Sequence, residues 1–186
     1  FVGRTDALRA LHSTVSSDRV GIVTAVQGLG GLGKTELVTQ YAHAFSHDYP
    51  AGAWWVRAEG ATDLLVTLGS LATELGVAGA EPGSRDLGRI VLGDLARRAR
   101  EERGSALIVL DNLSEPALLG ADQIAQLPAV DALRFVATTR LGGSDLATNR
   151  EIGHVLLGEL SEAESLALIR DRQPVRGAGA LPDFAS

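Results

Sequence analysis

Hydrophobic residues recur along this chain in two patterns, short continuous apolar runs and longer stretches with helical spacing. The apolar runs, the first of which is rich in β-branched residues, predict buried strands. They lie at Val20–Val26, Ala53–Ala58, Ser105–Leu110, Leu133–Ala137 and Ile152–Leu157. The helical spacing predicts helices, which lie at Thr5–Val15, Thr35–Phe45, Ala61–Leu75, Arg85–Arg103, Glu115–Gln126 and Glu162–Arg170. Strands alternating with helices predict an α/β fold, a parallel β-sheet flanked by helices on both faces.

A glycine-rich loop joins the first predicted strand to the helix that follows it. Its residues are Gly28, Leu29, Gly30, Gly31, Leu32, Gly33, Lys34 and Thr35, which fit the G-x-x-x-x-G-K-[ST] pattern. Glycines let the backbone N–H groups converge on an anion, and the start of the helix adds the positive end of its dipole. Lys34 is placed to reach the β- and γ-phosphates, and Thr35 offers a hydroxyl to Mg²⁺. The strand, loop and helix together predict a P-loop NTPase that binds a nucleoside triphosphate or diphosphate.

An aspartate follows the third apolar run. A carboxylate such as Asp111 at the carboxyl end of a buried strand faces the nucleotide crevice, where it can hold Mg²⁺ directly or through water. The alternative is a helix N-cap or a turn aspartate. Many ATPases of this layout have a second acid where this chain has Asn112, and an amide cannot take a proton from water at neutral pH. Unless Glu115 substitutes, we expect hydrolysis to be slow or to depend on something outside this segment.

Residues in two other segments could complete the nucleotide site. Arg140 follows the fourth apolar run, and a strand-end arginine beside the phosphates would sense the γ-phosphate through charge-assisted hydrogen bonds. An ordinary surface arginine is the alternative. Near the start of the chain, the apolar pair Phe1 and Val2 could pack an adenine ring, with Gly3 allowing close approach and Arg4 nearby.

Composition narrows the classes of function. A net charge of −6 argues against a broad nucleic-acid surface on this domain, so we expect no direct nucleic-acid binding. The chain has no cysteine, which fits a reducing cytoplasm, and no apolar run approaches the ~20 residues of a membrane span. The absence of methionine and the glycine-rich end predict a segment of a longer protein. We expect residues 1–170 to form the nucleotide-binding domain and residues 171–186 a linker or frayed end.

The order of FVGR, GGLGKT, LIVLDN, ATTR and LLGELSEAESLALI resembles the nucleotide-binding core of the NB-ARC family, nearly end to end. That family belongs to the STAND class of signalling ATPases, which includes plant resistance proteins and many bacterial regulators. The resemblance implies an adenine-nucleotide site formed by Val2, Gly3, Arg4, Gly28 to Thr35, Glu36 and Arg140, with Thr35 and Asp111 on Mg²⁺. It also implies that Lys34, Asp111 and Arg140 are the catalytic set, with Arg140 as the γ-phosphate sensor.

The same resemblance implies a molecular switch that uses ATP or ADP with Mg²⁺. ADP would hold an off state, ATP would permit oligomerisation of identical subunits, and hydrolysis would be slow. The family's downstream G-x-P motif, helical subdomain and winged helix are not recognisable in the sequence, so we expect C-terminal helical and sensor domains elsewhere in the same protein. A constitutive P-loop ATPase, either an AAA+-like motor or a kinase, is the alternative, and a nucleotide-stabilised scaffold is a third. Asn112 argues against a motor, and no lid arginines for a kinase are evident.

Overall fold

The structure of the protein is a computed structural model. It describes residues 4–16, 23–27, 31, 33–128, 130–141, 152–160, 162 and 165–166, with the backbone alone for residues 23–27. Within these ranges no helix is both long enough and apolar enough to cross a bilayer.

The described strands form a five-stranded parallel sheet in the order β2-β3-β4-β1-β5. The strands are β1 Val23–Gln27, β2 Ala53–Arg57, β3 Ala106–Leu113, β4 Leu133–Thr139 and β5 Gly153–Leu156. The predicted parallel sheet is therefore confirmed, with strand bounds that differ by a few residues. The strand that precedes the glycine loop lies between β4 and β5, and β2 lies at the far edge beside β3.

Helices cover both faces of the sheet, as predicted. They are α1 Thr5–Ser16, α2 Lys34–Ala44, α3 Leu64–Leu68, α4 Ala72–Leu75, α5 Arg85–Glu101 and α6 Ala121–Ile124. On one face, α1 and α2 share a buried cluster with Leu107 and Val109 of β3. On the other face, α3, α4 and α5 pack with Ile108 and Leu110. Successive residues of β3 thus point to opposite faces, as the pleat of a strand requires.

Two segments that were predicted as single continuous helices are interrupted, so the predicted helix lengths were wrong. The segment predicted as Ala61–Leu75 begins only at Leu64, because the Asp63 carboxylate caps the amide of Val66 at 3.0 Å. A 3₁₀ turn over Gly69–Leu71 then interrupts it. Gly69 lies against the backbone of α5, where an added Cβ would stand 3.4 Å from the amide of Gly88.

The second broken helix was predicted at Glu115–Gln126. It consists of a 3₁₀ turn, Pro116–Leu119, and the short helix α6. Gly120 separates them because its backbone is extended, with φ −66° and ψ 153°. Neither break disturbs the carboxyl end of the sheet, where the predicted site residues lie.

Candidate functional site

A cleft of about 390 Å³ opens at the carboxyl ends of the central strands. It is lined by Gly31, Gly33, Lys34, Thr35, Glu36, Arg57, Asp111, Asn112, Thr138 and Arg140. These residues come from the glycine loop and from the ends of β2, β3 and β4, which are separated by up to about a hundred residues of sequence. The fold thus brings together seven of the eight predicted site residues that the structure describes, all except Arg4.

The described part of the glycine loop has the backbone conformation that glycine favours. Gly31 and Gly33 have φ of 79° and 84°, in the left-handed region. An added Cβ at either position would meet no atom within 4 Å, so the positive φ, and not crowding, favours glycine there. The carbonyl of Gly33 accepts the amide of Leu37 at 2.8 Å, so α2 begins at Lys34, one residue earlier than predicted. The amino end of this helix therefore lies at the cleft, where its dipole favours an anion.

Two hydroxyl groups converge on one carboxylate oxygen. The Thr35 hydroxyl donates to Oδ1 of Asp111 at 2.7 Å, and the Thr138 hydroxyl donates to the same oxygen at 2.7 Å. Within the described part of the chain, no hydrogen bond is made to Oδ2 of Asp111. A hydroxyl that donates its one hydrogen keeps lone pairs for a cation. Thr35 and Asp111 thus present adjacent oxygen donors of the type that Mg²⁺ prefers.

A bulge in β3 orients this carboxylate. Asp111 and Asn112 lie opposite the single residue Thr138 of β4, because the register shifts between Leu110 and Leu113. Asn112 has φ 58°, a left-handed conformation that asparagine tolerates better than most residues. Its amide donates to the Thr138 hydroxyl at 2.8 Å. β3 therefore does not end before Asp111, as the apolar run predicted, but continues past it to Leu113.

The cleft has three cationic side chains, those of Lys34, Arg57 and Arg140, and two carboxylates, those of Glu36 and Asp111. Burial lowers the pKa of Lys34, and the Arg140 guanidinium lowers it further, while the Asp111 carboxylate opposes the shift. Arg140 is exposed immediately after β4, and Glu36 accepts a hydrogen bond from Gln40 at 3.0 Å. Repulsion between Lys34 and Arg140 shows that the two positive charges lie close enough to interact. A cleft in which cations repel one another is suited to a polyanion.

A second cleft, of about 340 Å³, lies at the same end of the sheet between the start of α1 and the end of β5. Arg4 lines it together with Thr5, Asp6, Ala7 and residues 156–160. Leu156 of β5 pairs with Gln27, the last residue of the strand that precedes the glycine loop, and is 79% exposed. Arg4 thus lies one strand from the loop, on the side away from Asp111. Val2, Gly3, Gly28, Leu29, Gly30 and Leu32 lie outside the described residues.

The sequence analysis did not single out two residues of the first cleft. Arg57 ends β2 and pairs in register with Asp111, and Thr138 holds both Asp111 and Asn112. A signal was present in both cases, since each lies at the carboxyl end of an apolar run. What the sequence lacks is the strand order, which decides that β2 and β4 are the two neighbours of β3.

Comparisons with known proteins show that the chain is similar to part of two regulatory proteins. It is 32% identical over 169 residues to the regulatory protein AfsR of Streptomyces coelicolor, covering 88% of this chain and 16% of AfsR. AfsR of Streptomyces griseus is 30% identical over 154 residues, covering 79% of this chain and 15% of that protein. The chain therefore spans about a sixth of the length of these relatives. No protein-family model matches the sequence.

Solved structures share the fold. Cdc6p from Pyrobaculum aerophilum superposes with a TM-score of 0.61 at 16% identity, over 91% of this chain and 48% of that one. The Aeropyrum pernix ORC2 protein, in its ADPNP–ADP complexes, has a TM-score of 0.60 at 18% identity, over 90% and 50%. A signal transduction ATPase with numerous domains (STAND), which carries a tetratricopeptide repeat sensor and comes from Pyrococcus horikoshii, has a TM-score of 0.56 at 19% identity, over 95% and 26%. The fold is that of the P-loop ATPases.

Proposed function

We propose that this domain binds ATP and ADP with Mg²⁺ and acts as the nucleotide switch of a regulatory protein of the STAND class, with a core of the NB-ARC type. The hydrogen bond between Thr35 and Asp111 carries this proposal. It joins the last residue of the glycine loop to the acid at the end of a central strand, and these are the two side chains that hold Mg²⁺ in P-loop enzymes.

The residues that line the cleft fit both Mg²⁺ and the phosphates of a nucleotide. Thr35 and Asp111 would hold Mg²⁺ through oxygen atoms, and the amino end of α2, with Gly31 and Gly33 before it, would receive the phosphates. When bound, Mg²⁺ would neutralise part of the phosphate charge. Lys34 adds a mobile positive charge beside the same phosphates, and its pKa is lowered first by burial and then by repulsion from Arg140. A bound polyanion would relieve this repulsion.

The adenosine end of the nucleotide would extend towards the second cleft. The glycine loop follows β1, and β1 lies between the strand that carries Thr138 and the strand that carries Leu156. A nucleotide with its phosphates over β3 and β4 therefore has its base on the β5 side, beside Arg4. Val2 and Gly3, which precede Arg4, belong to the same proposed adenine site.

Slow hydrolysis is part of the proposal, because no carboxylate follows Asp111. The side chain of Asn112 cannot take a proton from the attacking water, and its backbone is held in the bulge. A domain that retains its nucleotide for long periods is suited to signalling rather than to rapid turnover. Arg140, at the end of β4, would distinguish ATP from ADP by contact with the γ-phosphate.

The relatives support a regulatory role in a longer protein. Both AfsR proteins are described as regulatory, and this chain corresponds to a small part of each. We propose that residues 1–170 bind the nucleotide and that residues 171–186 lead to helical and sensor domains. In that arrangement the exchange of ADP for ATP would allow the full-length protein to oligomerise.

The test is to purify the 186-residue chain without added nucleotide, denature it and identify what is released by chromatography. Near-stoichiometric ADP is the expected result, and binding of ADP and an ATP analogue should require Lys34 and strengthen with Mg²⁺. Calorimetry on Lys34→Ala should show a loss of about 2–5 kcal/mol in binding free energy. A loss below about tenfold, or an empty site that turns over added ATP rapidly, would contradict the proposal.

A further inference from the structure

Arg57 is a cation of the cleft to which the proposed switch gives no role. It is the last residue of β2, is exposed, and lines the cleft with Lys34 and Asp111. Within the described part of the chain its side chain makes no hydrogen bond or ion pair. Its guanidinium therefore adds a third positive charge to a cleft that also holds Lys34, Arg140 and the carboxylates of Glu36 and Asp111, and it remains available to an anionic ligand.

Strand register fixes which way Arg57 points. It pairs with Asp111, and Trp55 pairs with Val109, so residues 55 and 57 share the face of the sheet that Val109 and Asp111 occupy. Val109 belongs to the cluster packed under α1 and α2. Arg57 and Asp111 therefore extend from the sheet on the side of α2, the helix that begins at Lys34.

The strand order gives Arg57 its place along the cleft. From the loop strand outward, the sheet runs β1, β4, β3, β2, and adjacent strands lie about 4.8 Å apart. Arg57 therefore lies about 14 Å across the sheet from the strand that enters the glycine loop, beyond Asp111 and on the side opposite Arg140. A phosphate chain that starts at the loop and extends over Asp111 brings only its terminal phosphate towards β2.

We propose that Arg57 is a second γ-phosphate-binding residue, which makes the site distinguish ATP from ADP from the β2 side of Asp111, opposite Arg140. This inference rests on the proposed nucleotide site. With ATP bound, the guanidinium would donate charge-assisted hydrogen bonds to γ-phosphate oxygens. With ADP bound, the phosphate chain is too short to reach it. The terminal phosphate is thus held between two arginines on either side of the strand that carries the metal-binding aspartate.

The test compares Arg57→Ala, Arg57→Lys and the control Arg100→Ala, which removes an exposed arginine at the opposite end of the sheet, near the amino ends of β3 and β4. Dissociation constants for ADP and for a non-hydrolysable ATP analogue are measured by calorimetry with Mg²⁺, after circular dichroism confirms folding. Arg57→Ala should weaken the ATP analogue by about tenfold or more and change ADP by less than about twofold. Arg57→Lys should recover part of the loss, and Arg100→Ala should change neither constant.

Three results would overturn the inference in different ways. Equal losses for both nucleotides in Arg57→Ala would make Arg57 a general attractor of anions. Unchanged constants for both would remove it from the site. If the unsubstituted chain bound neither nucleotide, the proposed function itself would be wrong, and the inference would fall with it.

Discussion

The hydroxyl of Thr138 donates to Oδ1 of Asp111 at 2.7 Å. The same hydroxyl accepts the amide of Asn112 at 2.8 Å, so a single oxygen atom on β4 holds both residues of the bulge in β3. The Thr35 hydroxyl also donates to Oδ1, at 2.7 Å. The carboxylate is thereby oriented by two neighbours before any ligand binds, which reduces the free-energy cost of ordering it around a cation.

Replacing Thr138 with valine should separate this positioning role from packing. Valine keeps the branched shape but removes the hydroxyl, so Asp111 loses a hydrogen bond and the Asn112 amide loses its acceptor. We expect a loss of about 1–3 kcal/mol in the free energy of unfolding and a larger loss of nucleotide affinity with Mg²⁺ than without it. Thr138→Ser, which keeps the hydroxyl, is the matched control. Equal affinity losses with and without Mg²⁺ would show that Thr138 does not act through the metal-binding carboxylate.

Arg140→Ala should weaken an ATP analogue more than ADP, because only ATP carries the γ-phosphate. Loss of one charge-assisted contact predicts about a tenfold increase in the dissociation constant of the ATP analogue. Arg89→Ala is the control, since Arg89 is exposed on α5 and pairs with Asp86 outside the cleft. Parallel losses for the two nucleotides would remove Arg140 from the γ-phosphate.

The pKa of Lys34 can be followed directly, because Lys34 is the only lysine in the chain. Burial and then Arg140 lower its pKa from the ordinary value of 10.5. The ammonium form attracts phosphates, so nucleotide affinity should fall as the pH rises through this lowered pKa, earlier than for an ordinary lysine. In nucleotide-free protein grown with ¹³C-lysine, NMR should show a single titrating side chain.

The Arg140→Ala variant tests the cause of that shift. Removing the neighbouring positive charge should raise the pKa of Lys34 part of the way towards 10.5, because burial, the larger cause, remains. Arg89→Ala should leave the titration where it is in the unsubstituted protein. A Lys34 signal that titrates identically in Arg140→Ala would mean that the two charges do not interact in solution.

Packing between α3 and α5 depends on Gly88, and Gly93 on the same helix provides a matched control. A Cβ at Gly88 would stand 2.0 Å from the carbonyl oxygen of Leu65, whereas a Cβ at Gly93 would meet nothing within 4 Å. Gly88→Ala should therefore cost about 3 kcal/mol of unfolding free energy through overpacking. Gly93→Ala should add about 0.5–1 kcal/mol through helix propensity. Urea unfolding measures both, and a stable Gly88→Ala would show that the two helices can move apart.

Features set by local sequence were predictable, and features set by contacts between distant segments were not. The apolar run at Ala106–Leu110 and the glycine loop before Lys34 predicted a buried strand and a phosphate-binding turn, since both depend on neighbouring residues. The breaks at Gly69 and Gly120 were missed. Gly69 packs against Gly88 of α5, a contact between distant segments that hydrophobic spacing does not encode.

The candidate functional site shows the same difference between local features and contacts that join distant segments. Thr35 and Asp111 could be chosen individually because each has a local signature, but they lie 76 positions apart, and the hydrogen bond between them depends on how the intervening chain folds. Arg57 was missed because nothing in the local sequence says that β2 lies beside β3 rather than beside β1. The bulge at Asn112 was missed for a similar reason, since its stabilising partner Thr138 lies on another strand.

Asn112 offers a direct test of why hydrolysis should be slow. Its φ of 58° is tolerated by asparagine, aspartate and glycine, so Asn112→Asp supplies a carboxylate without disturbing the bulge. If the absence of a base limits turnover, the aspartate variant should hydrolyse ATP at least about tenfold faster, within the range that general-base catalysis provides. Asn112→Gly keeps the backbone conformation but supplies no base, so its rate should not rise. An unchanged rate in Asn112→Asp, measured by phosphate release at saturating ATP, would locate the slow step in product release or in parts of the protein beyond this domain.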